Sequence, residues 1–207
     1  MEISVARALT ELKTINNRIE KKIDETIFIV GVKKTSKKID NMYTREEFDK
    51  QVKADYQSIK DLIKRRKDIK SAIVESNANT IVTIADKEYT VADAIERKNS
   101  IELDRMLLRE MTRGYNSVKS QVEGRNETVE EKLDALLNAS VGSDKKDLGD
   151  MDGFAKTYRE SSQYEVINPL KLEDEIEKLR KEIEDFEMEV DSILTESNVM
   201  TKIEIPD

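Results

Sequence analysis

Apolar side chains along this chain recur mostly at steps of three and four. Val5, Leu9, Leu12, Ile15, Ile19 and Ile23 hold to one stripe, which predicts a first helix from about Ser4 to Asp24. The pattern then changes to Thr26-Ile27-Phe28-Ile29-Val30, β-branched and aromatic and closed by Gly31. That run predicts a short strand. Lys33 to Asn41 is polar and reads as loop. Thr44 with Glu47 fits a capping box and opens a second helix,. Phe48, Val52, Ile59, Leu62, Ile69 and Ile73 form its seam, which should run out near Ser76-Asn77. Thr80 to Ile84 alternates as a strand, and Glu88-Tyr89 returns beyond a turn at Ala85-Asp86-Lys87, so a hairpin is expected across 80–90,.

Thr90 with Asp93 can cap a third helix, with Ala94, Ile101, Leu108, Met111, Tyr115, Val118 and Val122 on its seam,. Gly114 and Gly124 weaken it, and Thr128 to Asn138 reads as a separate short helix,. Residues 140–163 are rich in Gly, Ser and Asp and read as a mobile loop or insert,. Tyr164 to Ile167 is a possible strand before Pro169. Leu172, Ile176, Leu179, Ile183, Phe186, Val190 and Ile193 alternate by four and three, the spacing of a coiled-coil seam,. That helix would be roughly 40 Å long at ~1.5 Å per residue. Its stripe needs cover from another helix of this chain or of a second copy.

An internal repeat strengthens the pattern. Glu75-Ser76-Asn77-Ala78-Asn79-Thr80-Ile81-Val82-Thr83-Ile84 and Glu196-Ser197-Asn198-Val199-Met200-Thr201-Lys202-Ile203-Glu204-Ile205 lie 121 residues apart and share Glu, Ser, Asn, Thr and the closing Ile. The same offset pairs Leu62 with Ile183, Ile69 with Val190 and Ile73 with Leu194. A helix passing into a strand therefore occurs twice, and Asp24 to Val30 reads as a looser third case. The fold class expected is mainly α, with long antiparallel coiled-coil helices and a small β element at one end. Three segments are expected: a helical body over 1–139, with strands near 26–30 and 80–90; the insert over 140–163; and a coiled-coil helix with a terminal strand over 164–207.

Composition narrows the chemistry. The 207 residues include no His, Cys or Trp. This excludes disulfides, thiolate metal sites, a cysteine nucleophile and any triad built on histidine. Charged residues make up 39%, and the formal net charge is −8. Residues 171–207 hold 13 acidic and 5 basic side chains, while residues 33–70 hold 13 basic and 7 acidic. Such segments suit each other as helix flanks, within a chain or between copies. No apolar run reaches the ~18 residues of a membrane span. The opening Met1-Glu2-Ile3-Ser4 lacks signal-peptide character, so a cytoplasmic location is expected,.

Leu9, Leu12 and Arg18-Ile19 of the first helix resemble the small helical proteins known as septicolysin-like. So do Ser76-Asn77, Thr90-Val91-Ala92-Asp93-Ala94-Ile95-Glu96-Arg97 and the closing coiled-coil helix. The resemblance covers the helical frame at both ends and the centre, and the stretch from Gly124 to Tyr164 departs from it. The family name implies pore formation, and the resemblance brings no catalytic residues with it. The Lys-, Ile- and Asn-rich style is similar to that of accessory proteins of phages infecting low-GC bacteria, which implies a viral, anti-defence setting.

Two basic groups stand out as candidate sites. Arg105, Arg109 and Arg113 are four apart, with Tyr115 just beyond. Guanidinium forks match phosphate oxygens, and a tyrosine ring can stack on a base. Arg65-Arg66-Lys67 forms a second cluster. The competing expectation is that these cations bind the acidic last helix. Asp150-Met151-Asp152-Gly153 opens like a calcium loop, but position six is Ala155 and position twelve Ser161, so no metal site is expected,. No phosphate-cradling glycine loop is present. The leading expectation is a non-catalytic homo-oligomer that sequesters a small, nucleotide-like anion at a subunit interface. It takes no cofactor and contacts neither nucleic acid nor membrane. The alternatives are a scaffolding coiled-coil module for a protein partner and a carboxylate-only, magnesium-dependent hydrolase.

Overall fold

The computed structural model describes residues 1–39, 43–141 and 148–206. The chain runs β1 (Glu2–Ser4), α1 (Val5–Glu25), β2 (Lys38–Ile39), β3 (Tyr43–Thr44), α2 (Arg45–Asn79), β4 (Ile81–Ile84), β5 (Lys87–Thr90), α3 (Val91–Val141), α4 (Leu148–Ser162), α5 (Leu172–Met200) and β6 (Lys202–Glu204). It is mainly α, with β1–β6, β2–β3 and β4–β5 as small antiparallel pairs. Two compact units form, one from Met1–Asn99 with Asp185–Asp207 and one from Ser100–Glu184.

The first unit is built twice over. The helix-to-strand repeat seen in the sequence becomes α2–β4 and α5–β6, with Thr80 N bonded to Ser76 O and Thr201 N to Ser197 O, both at 2.9 Å. A second repeat, at an offset of 86, becomes visible once the strands are in place. Glu2-Ile3-Ser4-Val5-Ala6-Arg7-Ala8 matches Glu88-Tyr89-Thr90-Val91-Ala92-Asp93-Ala94. Both stretches are a strand leading into a helix. Ser4 caps α1 by accepting from Arg7 N, and Thr90 caps α3 by accepting from Asp93 N. Each half is thus strand, helix, helix, strand.

The halves exchange partners. β1 pairs with β6, placing Ile3 opposite Ile203. β5 pairs with β4, placing Tyr89 opposite Val82. Val5 N bonds to Thr201 O and Val91 N to Thr80 O, both at 2.9 Å, so each helix start is tied to the end of the other half's last helix. Equivalent positions are buried alike: Val5 and Val91, Ala8 and Ala94, Ile69 and Val190, Ile84 and Ile205. One core gathers Ile3, Val5, Ala8, Ile15, Ile19, Ile69, Ile73, Ile203 and Ile205. Across it α1 and α2 run antiparallel, joined by Glu11–Arg65 (3.3 Å) and Lys22–Asp55 (3.0 Å). On the other side, Tyr89 meets Phe186 edge to face at 5.8 Å. The guanidinium of Arg97 lies 5.8 Å from the Phe186 ring centroid, and Lys98 pairs with Asp191.

Several expectations are corrected. Residues 26–30 form no strand: α1 ends where Thr26 N bonds to Ile23 O, and among the described residues no strand pairs with them to supply a ladder. The third repeat therefore falls away. Residues 164–167 form no strand either. The helix expected to break near Gly114 and Gly124, with a separate segment at 128–138, is continuous as α3 for 51 residues. One helical glycine costs about 1 kcal/mol, too little to end a helix whose neighbours favour it. Within 140–163, expected as a mobile loop or insert, residues 148–162 form α4, and 142–147 lie outside the described residues. The turn between β4 and β5 is Ala85-Asp86 alone, both with positive φ, the pattern of a type I′ hairpin,. Ala85 N donates to the Glu189 carboxylate at 2.8 Å, which fastens that turn to α5.

Two stability tests follow from this packing. Ile69→Ala, at a fully buried position, should lower unfolding free energy by about 2–5 kcal/mol in urea titration,. Ala85→Gly should raise it by about 1 kcal/mol, because the left-handed backbone no longer crowds a Cβ while the N–H to Glu189 survives,.

Candidate functional site

The two predicted basic clusters fall in different units, Arg65–Lys67 in the first and Arg105–Tyr115 in the second. Arg65 is half-buried, with Nε on Glu11 at 3.3 Å and Nη1 donating to the Pro206 carbonyl. Arg66 Nε donates to Asn16 Oδ1 at 2.6 Å. These two arginines tie α2 to α1 and to the chain beyond β6, while Lys67 is exposed. On α3, Arg105 bonds to Glu102 at 3.3 Å and Arg113 to Glu110 at 2.6 Å. Each of these arginines is matched by an acid one turn earlier on the same helix. Arg109 is exposed. The Tyr115 hydroxyl donates to the Glu173 carboxylate, and that bond, with the nearby charge, raises the phenol's pKa above its ordinary value. Within 171–207, Arg65 reaches Pro206 beyond β6 and Tyr115 reaches Glu173 of α5.

A different stretch of α3 holds a better arrangement. Ser120, Gln121, Gly124, Arg125, Thr128, Val129 and Lys132, with Tyr164 opposite, line an open cleft of about 370 Å³. Helical spacing puts these α3 residues along one face. The lining contains two cations, hydroxyls and an amide, and no acid. Arg125 and Lys132 form no ion pair among the described residues. The Arg125 guanidinium lies 4.9 Å above the Tyr164 ring, a cation–π contact that leaves its in-plane N–H groups able to meet an oxyanion,.

Tyr164 is fixed in place. Asn126 Nδ2 donates to Tyr164 O at 3.0 Å, and Tyr164 N donates to Asn126 Oδ1 at 2.8 Å. Gly124 faces open space, for a Cβ added there would meet nothing within 4 Å. Packing therefore does not require this glycine.

The neighbouring face of α3 carries Glu123, Glu127, Glu130, Glu131 and Asp134. Glu130 of this face holds α4. Arg159 forks onto Glu130, with Nε at 3.0 Å from both oxygens and Nη2 at 2.8 Å from Oε2, and Gln163 adds a bond at 3.0 Å. Val129, Leu133 and Ala155 are buried nearby in sequence on the same two helices. The α3 segment thus has an acidic face, tied to α4 through Glu130, and a separate face that carries Arg125 and Lys132. Sequence reading missed the second because Gly124-Arg125 looked like an isolated weak point. The usable signal was small polar residues one turn either side of an arginine.

The Arg159 bond holds the Glu130 carboxyl below its usual pKa range. A depressed carboxyl pKa contributes stability that is present above the unfolded value and lost as pH falls through the folded one. Glu130→Gln should therefore lower the urea midpoint at neutral pH and flatten its decline at acidic pH. A midpoint-against-pH series on both proteins measures this. No family model, no curated protein and no solved structure matches the chain.

Proposed function

We propose that this chain is a non-catalytic binding protein that holds a small phosphate-bearing ligand in the α3–Tyr164 cleft. The observation that carries the reading is the pair of cations, Arg125 and Lys132, without acidic partners in a chain of net charge −8. Uncompensated cations on a polar cleft wall attract an anion, and a guanidinium fork suits phosphate oxygens. The open space at Gly124 leaves room for the flat part of a nucleotide-like molecule beside the fixed tyrosine. The expected Arg105–Arg109–Arg113 stripe contributes at most Arg109, since the flanking two are paired on their own helix.

Association of copies belongs to the same reading. Leu103, Met106 and Leu107 are exposed on α3 at helical spacing. A stripe of this kind is covered when another helix packs on it. It equally supports the scaffolding alternative, in which a protein partner takes that face and no small molecule is held.

Calorimetric titration with inorganic pyrophosphate separates the two. The wild-type chain should bind it, and Arg125→Glu with Lys132→Glu should weaken binding at least about tenfold. Arg105→Glu with Arg113→Glu should leave it within about twofold. Gly124→Ala should stabilise the protein by about 1 kcal/mol, whereas Gly124→Leu should block uptake by filling the cleft. Absence of pyrophosphate binding by the wild type would leave the scaffolding reading.

A further inference from the structure

The connection between α1 and α2 has no counterpart in the repeat, and its surface differs from that of the helices. Ile27 (68% exposed), Phe28, Ile29 (86%) and Val32 all face solvent, with exposed Tyr43 beyond them. Lys33, Lys34, Lys37 and Lys38 follow directly, and residues 27–38 contain no acid. Isolated exposed apolar residues are ordinary, but this is an apolar run continuous with a cationic one.

The cationic part is held in shape. Arg45 Nη2 donates to Lys33 O and Lys34 O, both at 3.0 Å, and its Nε donates to Ser36 O at 3.2 Å. Ser36 N bonds to Lys33 O at 2.9 Å, and Ser36 Oγ donates to Lys38 O at 2.6 Å. One arginine thus gathers three carbonyls, and the four lysine side chains are left outward. Buried Ile39 and the Thr44–Glu47 capping box anchor the far end.

We propose that this loop docks the protein peripherally on an anionic lipid surface. Ile27, Phe28, Ile29 and Val32 enter the boundary between headgroups and acyl chains, and the lysines engage the acidic headgroups. Apolar burial and lysine–headgroup attraction act together in such contacts. Charge complementarity decides the occupant: residues 27–38 carry four lysines and no acid on a chain of net charge −8, with Glu47 near only Lys38 of the four. The acidic helix faces, on which the expectation of no membrane contact rests, do not include it. Arg45 is a positioning residue, acting through the loop backbone. The inference is independent of the α3 cleft.

The chain has no tryptophan, so Ile29→Trp makes a single fluorescent reporter. With vesicles of phosphatidylcholine and about 30% phosphatidylserine, its emission should shift to the blue and the full chain should co-sediment. Pure phosphatidylcholine should give little of either. Lys33→Glu with Lys34→Glu should lower anionic-vesicle binding at least about tenfold, as should raised salt. Phe28→Ser with Ile29→Ser, read by sedimentation, should weaken it as well. These side chains are exposed, and circular dichroism should show the helices unchanged. No sedimentation with anionic vesicles, or sedimentation indifferent to both double variants, overturns the proposal. Capture of soluble polyglutamate without vesicle binding overturns it too, and marks the loop as a protein-docking surface.

Discussion

The first unit depends on a crossed attachment. Each short strand at the head of a helix pairs with the strand at the tail of the other half's last helix: β1 with β6, β5 with β4. The bonds Val5 N–Thr201 O and Val91 N–Thr80 O continue that attachment into the helices themselves. Strands of three or four residues have little stability alone. Here they persist because their inward side chains, Ile3, Val82, Ile84, Ile203 and Ile205, are buried. The β4–β5 pair closes over a two-residue turn, whereas β1–β6 spans almost the whole chain. Loop-closure entropy therefore favours the former early and the latter late in folding.

Electrostatics follow the same economy of local pairing. The sequence contrast between a basic 33–70 and an acidic 171–207 suggests that one neutralises the other. In the structure several ion pairs form nearer by instead. Glu102 serves Arg105 and Glu110 serves Arg113 within α3, Glu177 serves Arg180 within α5, and Asp55 serves Lys22 across the α1–α2 pair. An i, i+3 pair needs no tertiary contact, so it forms as soon as the helix does. Lys33, Lys34 and Lys37 of the α1–α2 connection and Arg125 and Lys132 of the α3 cleft form no such pair among the described residues.

Much of the frame was legible in the residues. The alternation of four and three from Leu172 to Ile193 predicted α5, and Thr44 with Glu47 placed the start of α2 to the residue. The repeated Glu-Ser-Asn announced two helix-to-strand passages. The matching strand-to-helix repeat escaped notice because its conserved character lies in Ser4 and Thr90 as caps and in small Ala8 and Ala94, not in large apolar residues. Thr26 to Val30 misled because β-branched composition reports a preference for extended backbone, and a strand also needs a neighbour. The glycines of α3 misled in the opposite sense: local weakness was read as a break, although about 1 kcal/mol is readily outweighed over so long a helix. The α3 cleft was the least legible feature, since Arg125 and Tyr164 meet only through the fold.

The reciprocal strand pairing has a consequence for either half by itself. A single strand–helix–helix–strand polypeptide, made on its own, would have both of its strands unmatched, and two such molecules would complete each other by reciprocal exchange. In the present chain the two halves are joined covalently through the Ala85-Asp86 turn, so the exchange takes place within one molecule. The connections inside each half take no part in that exchange, and it is there that the halves differ: β2 and β3 between α1 and α2, α4 between α3 and α5.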